Sequence, residues 1–501
     1  MSAVAADNWE GLLEGTARYR LESMLLPEYL QKQDWFSGKA RHIRGVRISD
    51  WVALPEPHPD SSAVLALVEV RYEKGEPDTY VLPGDERADP AFLSLIEHAQ
   101  TAPARNGSIR GQAGTEFESI RGSAGASMEV RLYRRLVPGP NPDCEMRRYL
   151  TEQAHFPAIP PFAGAIEYVP AEGEPAALAI LQGSVANQGD GWTLTLEELA
   201  RYYENCATAA FPEGGNAASG DVVDLAEQET PQLARDHVGI SLDSAARLGS
   251  RTAELHLALA AATEDPAFMP ETLAAGDVQN LLAGFRKDAS GVLDLLKGSI
   301  AGLPDDLIDL AGLVLGRRRQ ILDSLRLPAG DGALGQRIRI HGDYRLGKVL
   351  QVKTDYVIAD FEGEPGRTIA EQRAKQSPLK DVAGMLRSLG YAAYAGLISH
   401  TARRPEDWES LEPWARLWER STGAEFLRAY RRTGQGSQFL PPGDGNFRKL
   451  LAIHLLDKAL NELSYELHNR PAWVRIPLMS ILSLPMEAGG REWKWMPSHS
   501  R

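Results

Sequence analysis

Two carboxylates in one short segment are the side chains best placed by spacing to do chemistry. Residues 338–365 read IRIHGDYRLGKVLQVKTDYVIADFEGEP. The pattern predicts a strand ending at His341, a tight turn at Gly342 that presents Asp343, the strand VLQVK, a turn at Thr354-Asp355, and a return strand YVIA that delivers Asp360. A hairpin brings its end back to where it began, so two acids 17 positions apart are expected at one mouth. Paired carboxylates there suit phosphoryl transfer from ATP: one accepts or orients a hydroxyl proton, and the other holds magnesium against the phosphates. HGD alone reads as an ordinary turn and DFE alone as an ordinary strand end. Their order and the hairpin between them carry the expectation.

Competing motifs fail on their context. Gly342-Asp-Tyr-Arg-Leu-Gly347-Lys348 fits GxxxxGK, but Val349 replaces the Ser or Thr that a P-loop needs, and a strand follows instead of a helix. Gly434-Gln435-Gly436 lacks a third glycine and a preceding strand. No HExxH, zinc-spaced Cys/His cluster or GxSxG elbow occurs. Cys144 and Cys206 are too few for a disulfide framework. His256, in AELHLAL, reads as a packed helix residue.

The elements that must carry the hairpin are mixed. Residues 1–103 read as a small β-rich module, with a hairpin at Val64–Tyr72 and Asp78–Leu82. Residues 104–190 add the strands MEVRLYRRL and EPAALAILQGSV and a helix from NPDCEMRRYLTEQ, capped by Asn141. NQGDGW is a linker candidate, and GGNAASGDVVDLAEQETPQ reads as a mobile loop. From 191 onward 3.6-residue periodicity dominates, interrupted by the hairpin at 336–362. The expectation is α+β, in three parts: 1–103, 104–190 and 191–501.

Composition narrows the class. The chain has 501 residues, 43% of them hydrophobic and 24% charged, which is enough for large cores. Net charge is −14, so a nucleic-acid partner is not expected; Arg317-Arg318-Arg319 and Arg431-Arg432 read as solvated helix faces. No long apolar run suggests a membrane span, and MSAVAADNWEGLLEG has no secretory pattern, so the expected location is the cytoplasm.

HGDYRLGKVL with DFEGEP, followed by RAKQSPLKDVAGMLRS, resembles the maltokinases, above all the maltokinase domain often fused behind trehalose synthase. DWFSGKARHIRGVRI, LYRRLVPGPNPD, RTAELHLAL and YELHNRPAWVRIPL extend the likeness over most of the chain. It implies a bilobal fold similar to protein kinases and aminoglycoside phosphotransferases, with an N-terminal cap. The implied reaction is ATP- and Mg2+-dependent phosphorylation of maltose to maltose 1-phosphate, feeding α-glucan synthesis, with trehalose synthase as a possible partner. Through it Asp343 takes the catalytic position and Asp360 the magnesium position. Glu145 stands where an N-lobe helix pairs a carboxylate with the phosphate-binding base. Glu462 and Arg470 match a YExxYExxNRP-type segment beside the sugar, where a spacing of eight places them near one helical face. Such a pair could grip sugar hydroxyls.

Departures cluster on the nucleotide chemistry. The family pattern is close to HGDYHLGQ; here Arg345 replaces the second histidine and Lys348 the glutamine that contacts metal. A lysine brings charge and no acceptor oxygen. Arg131 stands in place of the N-lobe lysine, and Glu118 lies in the segment expected to cover the nucleotide. Asn461 replaces a common tyrosine near the sugar. These changes support an alternative expectation: a maltokinase fold with weak, altered or absent kinase activity, acting as a sugar-binding or trehalose-synthase-associated module.

Overall fold

A computed structural model describes residues 15–39, 41–54, 64–83, 101–122, 127–212, 220–326 and 333–484, with Leu13, Leu93, Leu95 and Ile96. The start of the chain, read above for a secretory pattern, lies outside the described residues. Contacts divide the chain into two units, Met1–Val185 with Arg367–Gln372, and Ala186–Gly366 with Arg373–Arg501.

The first unit holds two antiparallel sheets. The strands are β1 (Ile43–Ala53), β2 (Val64–Tyr72), β3 (Asp78–Pro83), β4 (Thr101–Pro103), β5 (Gly107–Ala113), β6 (Met128–Leu132), β7 (Arg135–Leu136), β8 (Phe162–Pro170) and β9 (Ala176–Gly183). They form the orders β1-β2-β3-β7 and β4-β5-β8-β9-β6. Alternation along β2 sends Leu65 and Leu67 into a core shared with Ile109, Ile166 and Leu181. Val68, Val70 and Tyr72 go to the opposite face, under Leu26 and Leu30 of the helical segments α1 (Gly15–Arg20) and α2 (Leu26–Lys32). Along β1, Val46 and Ile48 face that second core, whereas Val52 and Leu54 face the first. A bulge between Ile48 and Asp50 causes the exchange, since one extra residue inverts every later side chain. The boundary expected at 103/104 therefore falls inside one unit, because strands from both sides of it fill the same core. Further helices of the unit include α3 (Phe117–Gly122) and α4 (Pro142–Glu152). The Asn141 side chain accepts from the Cys144 N–H at 3.1 Å and caps α4 as expected.

In the second unit the short strand β10 (Gly189–Asp190) precedes α5 (Gly191–Cys206). The segment expected to be a loop contains the helix α6 (Val222–Glu227), because Asp221 caps it by accepting from Val223 N–H and Asp224 N–H. Next come α7 (Ile240–Leu259), β11 (Glu271–Thr272), α8 (Ala275–Ser299) and α9 (Asp305–Gly316). After β12 (Gln336–Arg337) the hairpin forms from β13 (Val349–Val352) and β14 (Asp355–Ile358). The expected strand up to His341 is shorter than the sequence suggests: β12 ends at Arg337 and only Ile338 adds a bridge, to Gln376. Four helices follow, α10 (Leu379–Thr401), α11 (Trp408–Thr433), α12 (Asp444–Asn469) and α13 (Arg475–Ser483). Among the described residues no helix is long and apolar enough to cross a membrane. The arginine clusters lie on helix faces in ion pairs, Arg318 with Asp294 and Arg431 with Glu227 and Asp444.

Candidate phosphotransfer site

The loop carrying Asp343 is fixed from below. Asp381, in the first turn of α10, accepts the His341 and Gly342 N–H groups at 2.8 and 2.9 Å. It lies 3.3 Å from His256 Nε2, whose Nδ1 is 2.9 Å from the Tyr430 hydroxyl. A carboxylate only accepts, so Nε2 donates to Asp381, and Nδ1 shares a hydrogen bond with the tyrosine hydroxyl. Asp381 and His256 are buried. Burial pushes the Asp381 carboxyl up, but His256, His341 and the Gly342 N–H outweigh it and hold it below its ordinary value. His256 is thus a packed helix residue, as its context suggested, with the added task of steadying Asp381. Gly384 lets α10 approach this loop: a Cβ there would sit 2.6 Å from the Tyr344 carbonyl oxygen.

The hairpin closes as the sequence predicts. Val349 pairs with Ile358, and the Ala359 N–H donates to the Lys348 carbonyl at 2.9 Å. His341 Nε2 donates to the Ala359 carbonyl at 2.9 Å, tying the loop before Asp343 to the strand end before Asp360. Burial lowers the pKa of His341, against the pull of Asp381, so its ring is neutral. Gly342 adopts φ +84°, which favours glycine, and Asp360 adopts φ +63°, rare for a residue with a side chain. Unusual backbone of this kind concentrates at functional sites.

At the mouth the charges are crowded. Asp343 Oδ2 is 3.2 Å from Arg345 Nε, and its Oδ1 is 3.8 Å from Lys458 Nζ. Lys348 Nζ is 3.1 Å from Asp360 Oδ2. As a test of the donor set, magnesium usually takes one or two carboxylates and fills its remaining positions with water and substrate phosphate. Asp360 fits one such ion. Lys348 offers no oxygen where the family pattern has glutamine, and its ammonium already lies on the Asp360 carboxylate, so a second metal does not fit.

The predicted residues Glu462 and Arg470 make different ion pairs, and both lie near Tyr391. Glu462 accepts from Arg387 of α10 at 2.7 Å. Arg470 stands beyond the end of α12, donates to Glu466 at 2.6 Å and to the Tyr391 hydroxyl at 3.2 Å, and lies over Trp473. The chain leaves helical geometry at Arg470, so helical spacing alone does not set where its side chain lies. Sequence reasoning missed Asp381, Asp457 and Lys458. A polar i, i+4 ladder at His454, Lys458, Glu462 and Glu466 was the available signal for this face of α12. Asp457 is pushed up to about 7 by burial, with Glu364 and Asp288 adding to it and Lys380 opposing. Asn461 donates to Asp457 at 3.4 Å.

Arg131 and Glu145 belong to the first unit, on β6 and α4 respectively. Arg131 pairs in register with Ile180 of β9. The buried Asp143 feels its charge, and also accepts from Arg147 at 2.8 Å and the Tyr133 hydroxyl at 2.9 Å. Burial raises the Asp143 pKa, but Arg147 and Arg131 more than offset it. Glu118 is exposed on α3.

Residues 29–112 match the maltokinase N-terminal cap domain. The chain carries a maltokinase cap. The maltokinase resemblance read from the sequence is thereby borne out. A glucosamine kinase of Streptacidiphilus jiangxiensis is 26% identical over 373 residues, covering 72% of this chain and 78% of its own. A glucosamine kinase of Mycolicibacterium smegmatis (strain ATCC 700084 / mc(2)155) is 30% identical over 180 residues, 35% of this chain and 41% of its own. The solved structure of a glucosamine kinase in complex with glucosamine, ADP and inorganic phosphate superposes with a TM-score of 0.57 at 21% identity, covering 87% of this chain and 93% of that one. A second crystal form of glucosamine kinase gives a TM-score of 0.58 at 20% identity, over 91% and 98% of the chains. The maltokinase-like chain has the expected α+β, protein-kinase-like fold with an N-terminal cap.

Proposed function

We propose that this maltokinase-like chain is an ATP-dependent kinase of a small sugar, with an amino sugar of the glucosamine type as acceptor. The observation that carries the reading is the Asp343–Asp360 hairpin, closed through His341 and anchored by Asp381. Asp343 accepts the proton of the attacking sugar hydroxyl as the new P–O bond forms and the bond to the ADP leaving group breaks. Lys458 and Arg345 hold the Asp343 carboxylate in place. Magnesium held by Asp360 would neutralise charge on the transferred phosphate. Arg131 and Glu145, from the first unit, are assigned to nucleotide binding, and Glu462 and Arg470 to positioning the sugar-side wall of α12. The match to a glucosamine kinase over 72% of the chain supports an amino sugar as the acceptor. The cap favours maltose as the competing acceptor.

The Lys348–Asp360 contact favours a second reading of the rate: slow turnover, because an ammonium competes with the metal for one carboxylate. The test is ADP release from Mg-ATP with glucosamine, maltose or glucose, beside Asp343→Asn. Turnover with glucosamine that vanishes in the variant supports the first reading. Preference for maltose overturns the acceptor assignment. Sugar binding by calorimetry without any ADP release moves the protein to the non-catalytic reading and overturns the kinase assignment.

A further inference from the structure

The bulge that exchanges the faces of β1 also opens a concavity far in sequence from the hairpin. A cavity of about 310 Å³ is lined by Arg18, Arg47, Ser49, Asp50, Arg105 and Asn106, among others. All of these residues lie in the first unit. Its floor is a latch. The buried Asp50 accepts the Trp51 N–H on Oδ1 at 2.8 Å, and on Oδ2 the Asn106 N–H at 3.0 Å and the Tyr168 hydroxyl at 2.8 Å. The Asn106 side chain donates back to the Ser49 carbonyl at 2.9 Å. Three donors inside the fold thus fix the Asp50 carboxylate as the cavity floor, where it offsets part of the arginine charge.

The arginines differ in their partners. Arg18 donates to Glu22 at 2.8 Å and to the Ile48 carbonyl at 2.5 Å, and Glu22 also accepts the Ile48 N–H, so this guanidinium is fixed at the wall. Arg47 and Arg105 are exposed and have no carboxylate partner among the described residues. Glu69, opposite Arg47 in the β1–β2 register, is occupied by Arg71. On a chain of net charge −14, three guanidiniums around the one carboxylate of the lining, Asp50, make a local positive concavity. Their planar forks match tetrahedral oxyanions through paired hydrogen bonds. The volume suits a small metabolite, at the lower end of the usual range of about 300–1,000 Å³.

We propose that this cavity in the cap region binds a small phosphate monoester, with Arg47 and Arg105 as its ligands and Arg18 and the Asp50 latch as its frame. The bound dianion joins α1, the β1 bulge and the β4–β5 connection. It therefore stabilises the cap against separation of its helix from the sheets.

The test is calorimetry and thermal shift on the full chain without nucleotide or magnesium, using inorganic phosphate, glucose 1-phosphate and AMP as probes. At least one ester is expected to bind and raise the melting temperature. Arg47→Gln/Arg105→Gln should weaken that binding at least tenfold, while kinase turnover and the unliganded melting temperature stay unchanged. Arg44→Gln, an exposed arginine on the same strand, should bind like the unaltered chain. Phosphate binding equal to that of the esters would assign the site to the free ion, and would overturn the ester. Binding unchanged in the double variant, equal loss in Arg44→Gln, or no binding of any probe at millimolar concentration would overturn the site.

Discussion

Beneath the loop that carries Asp343 and at its mouth, the same kinds of side chain are used in opposite ways. Below, Asp381 is buried and accepts two backbone N–H groups and one imidazole, and that imidazole is satisfied in turn by Tyr430. Each group has a partner, and the arrangement has one solution. At the mouth, two carboxylates meet Arg345, Lys348 and Lys458, with distances from 3.1 to 3.8 Å. Those cations are partly exposed, Arg345 to 49%. Such contacts exchange readily with water, substrate or metal. The buried network fixes where the two carboxylates sit. The exposed one decides which charges surround them.

Removing a carboxylate from each layer breaks the comparison most sharply. Asp343→Asn keeps the shape of the mouth and deletes the proton acceptor, so turnover should fall by about 10²–10⁴ with little change in melting temperature. A loss of stability matching the loss of turnover would place Asp343 in the scaffold instead. Asp381→Ala strands two backbone N–H groups and a buried imidazole. It should cost about 3–5 kcal/mol of stability, the scale of a buried pair that loses one member. Urea unfolding reads this directly, and a cost below about 1 kcal/mol, the scale of exposed ion pairs, would show that the loop holds itself.

The contrast also separates what the sequence could show from what it could not. The hairpin was legible because alternation, the turn at Thr354-Asp355 and the two acids reinforce one another locally. Asp381 was not singled out although DVAGML was in view, because its partners are 40 residues away in His341 and 125 away in His256. No local pattern encodes such contacts. The Glu462–Arg470 expectation assumed a helix continuing through Arg470, and Pro471 ends it. The β1 bulge was illegible for a similar reason: a single extra residue changes which face is buried without changing the strand's composition.

A finer distinction lies within α12, where the buried His454 and the half-buried Asp457 oppose each other. Burial and Lys380 hold His454 down to about 3, whereas burial holds Asp457 up to about 7. Between about pH 3 and 6.5 the unfolded histidine binds the proton that the folded one refuses, so this group makes stability fall on acidification. Between about pH 4 and 7 the folded aspartate binds the proton that the unfolded one lacks, so this group makes stability rise on acidification. Their slopes cancel from about pH 4 to 6.5. Asp457→Asn should expose the histidine's slope, a loss approaching about 1.4 kcal/mol per pH unit as the pH falls. His454→Leu should expose the opposite slope. Urea unfolding of both variants at pH 4.5, 5.5 and 6.5 checks the signs, and parallel curves would show that the two groups are not set against each other.

Lys348→Gln gives the smallest expected effect and the sharpest account of the mouth. If the ammonium only competes with magnesium for Asp360, the neutral amide restores an acceptor oxygen and frees the carboxylate. Half-saturation by magnesium should then shift to lower concentration and turnover should rise about tenfold, close to 1.4 kcal/mol of barrier. Lys348→Met removes the charge without supplying an oxygen, so it should improve magnesium binding less than Gln does. The opposite outcome, turnover lost in both variants at saturating magnesium, would mean that the lysine charge serves the reaction itself. The mouth would then be a one-metal site in which Lys348 carries the second positive charge, and the departure from the family's glutamine would be an adaptation instead of a lesion.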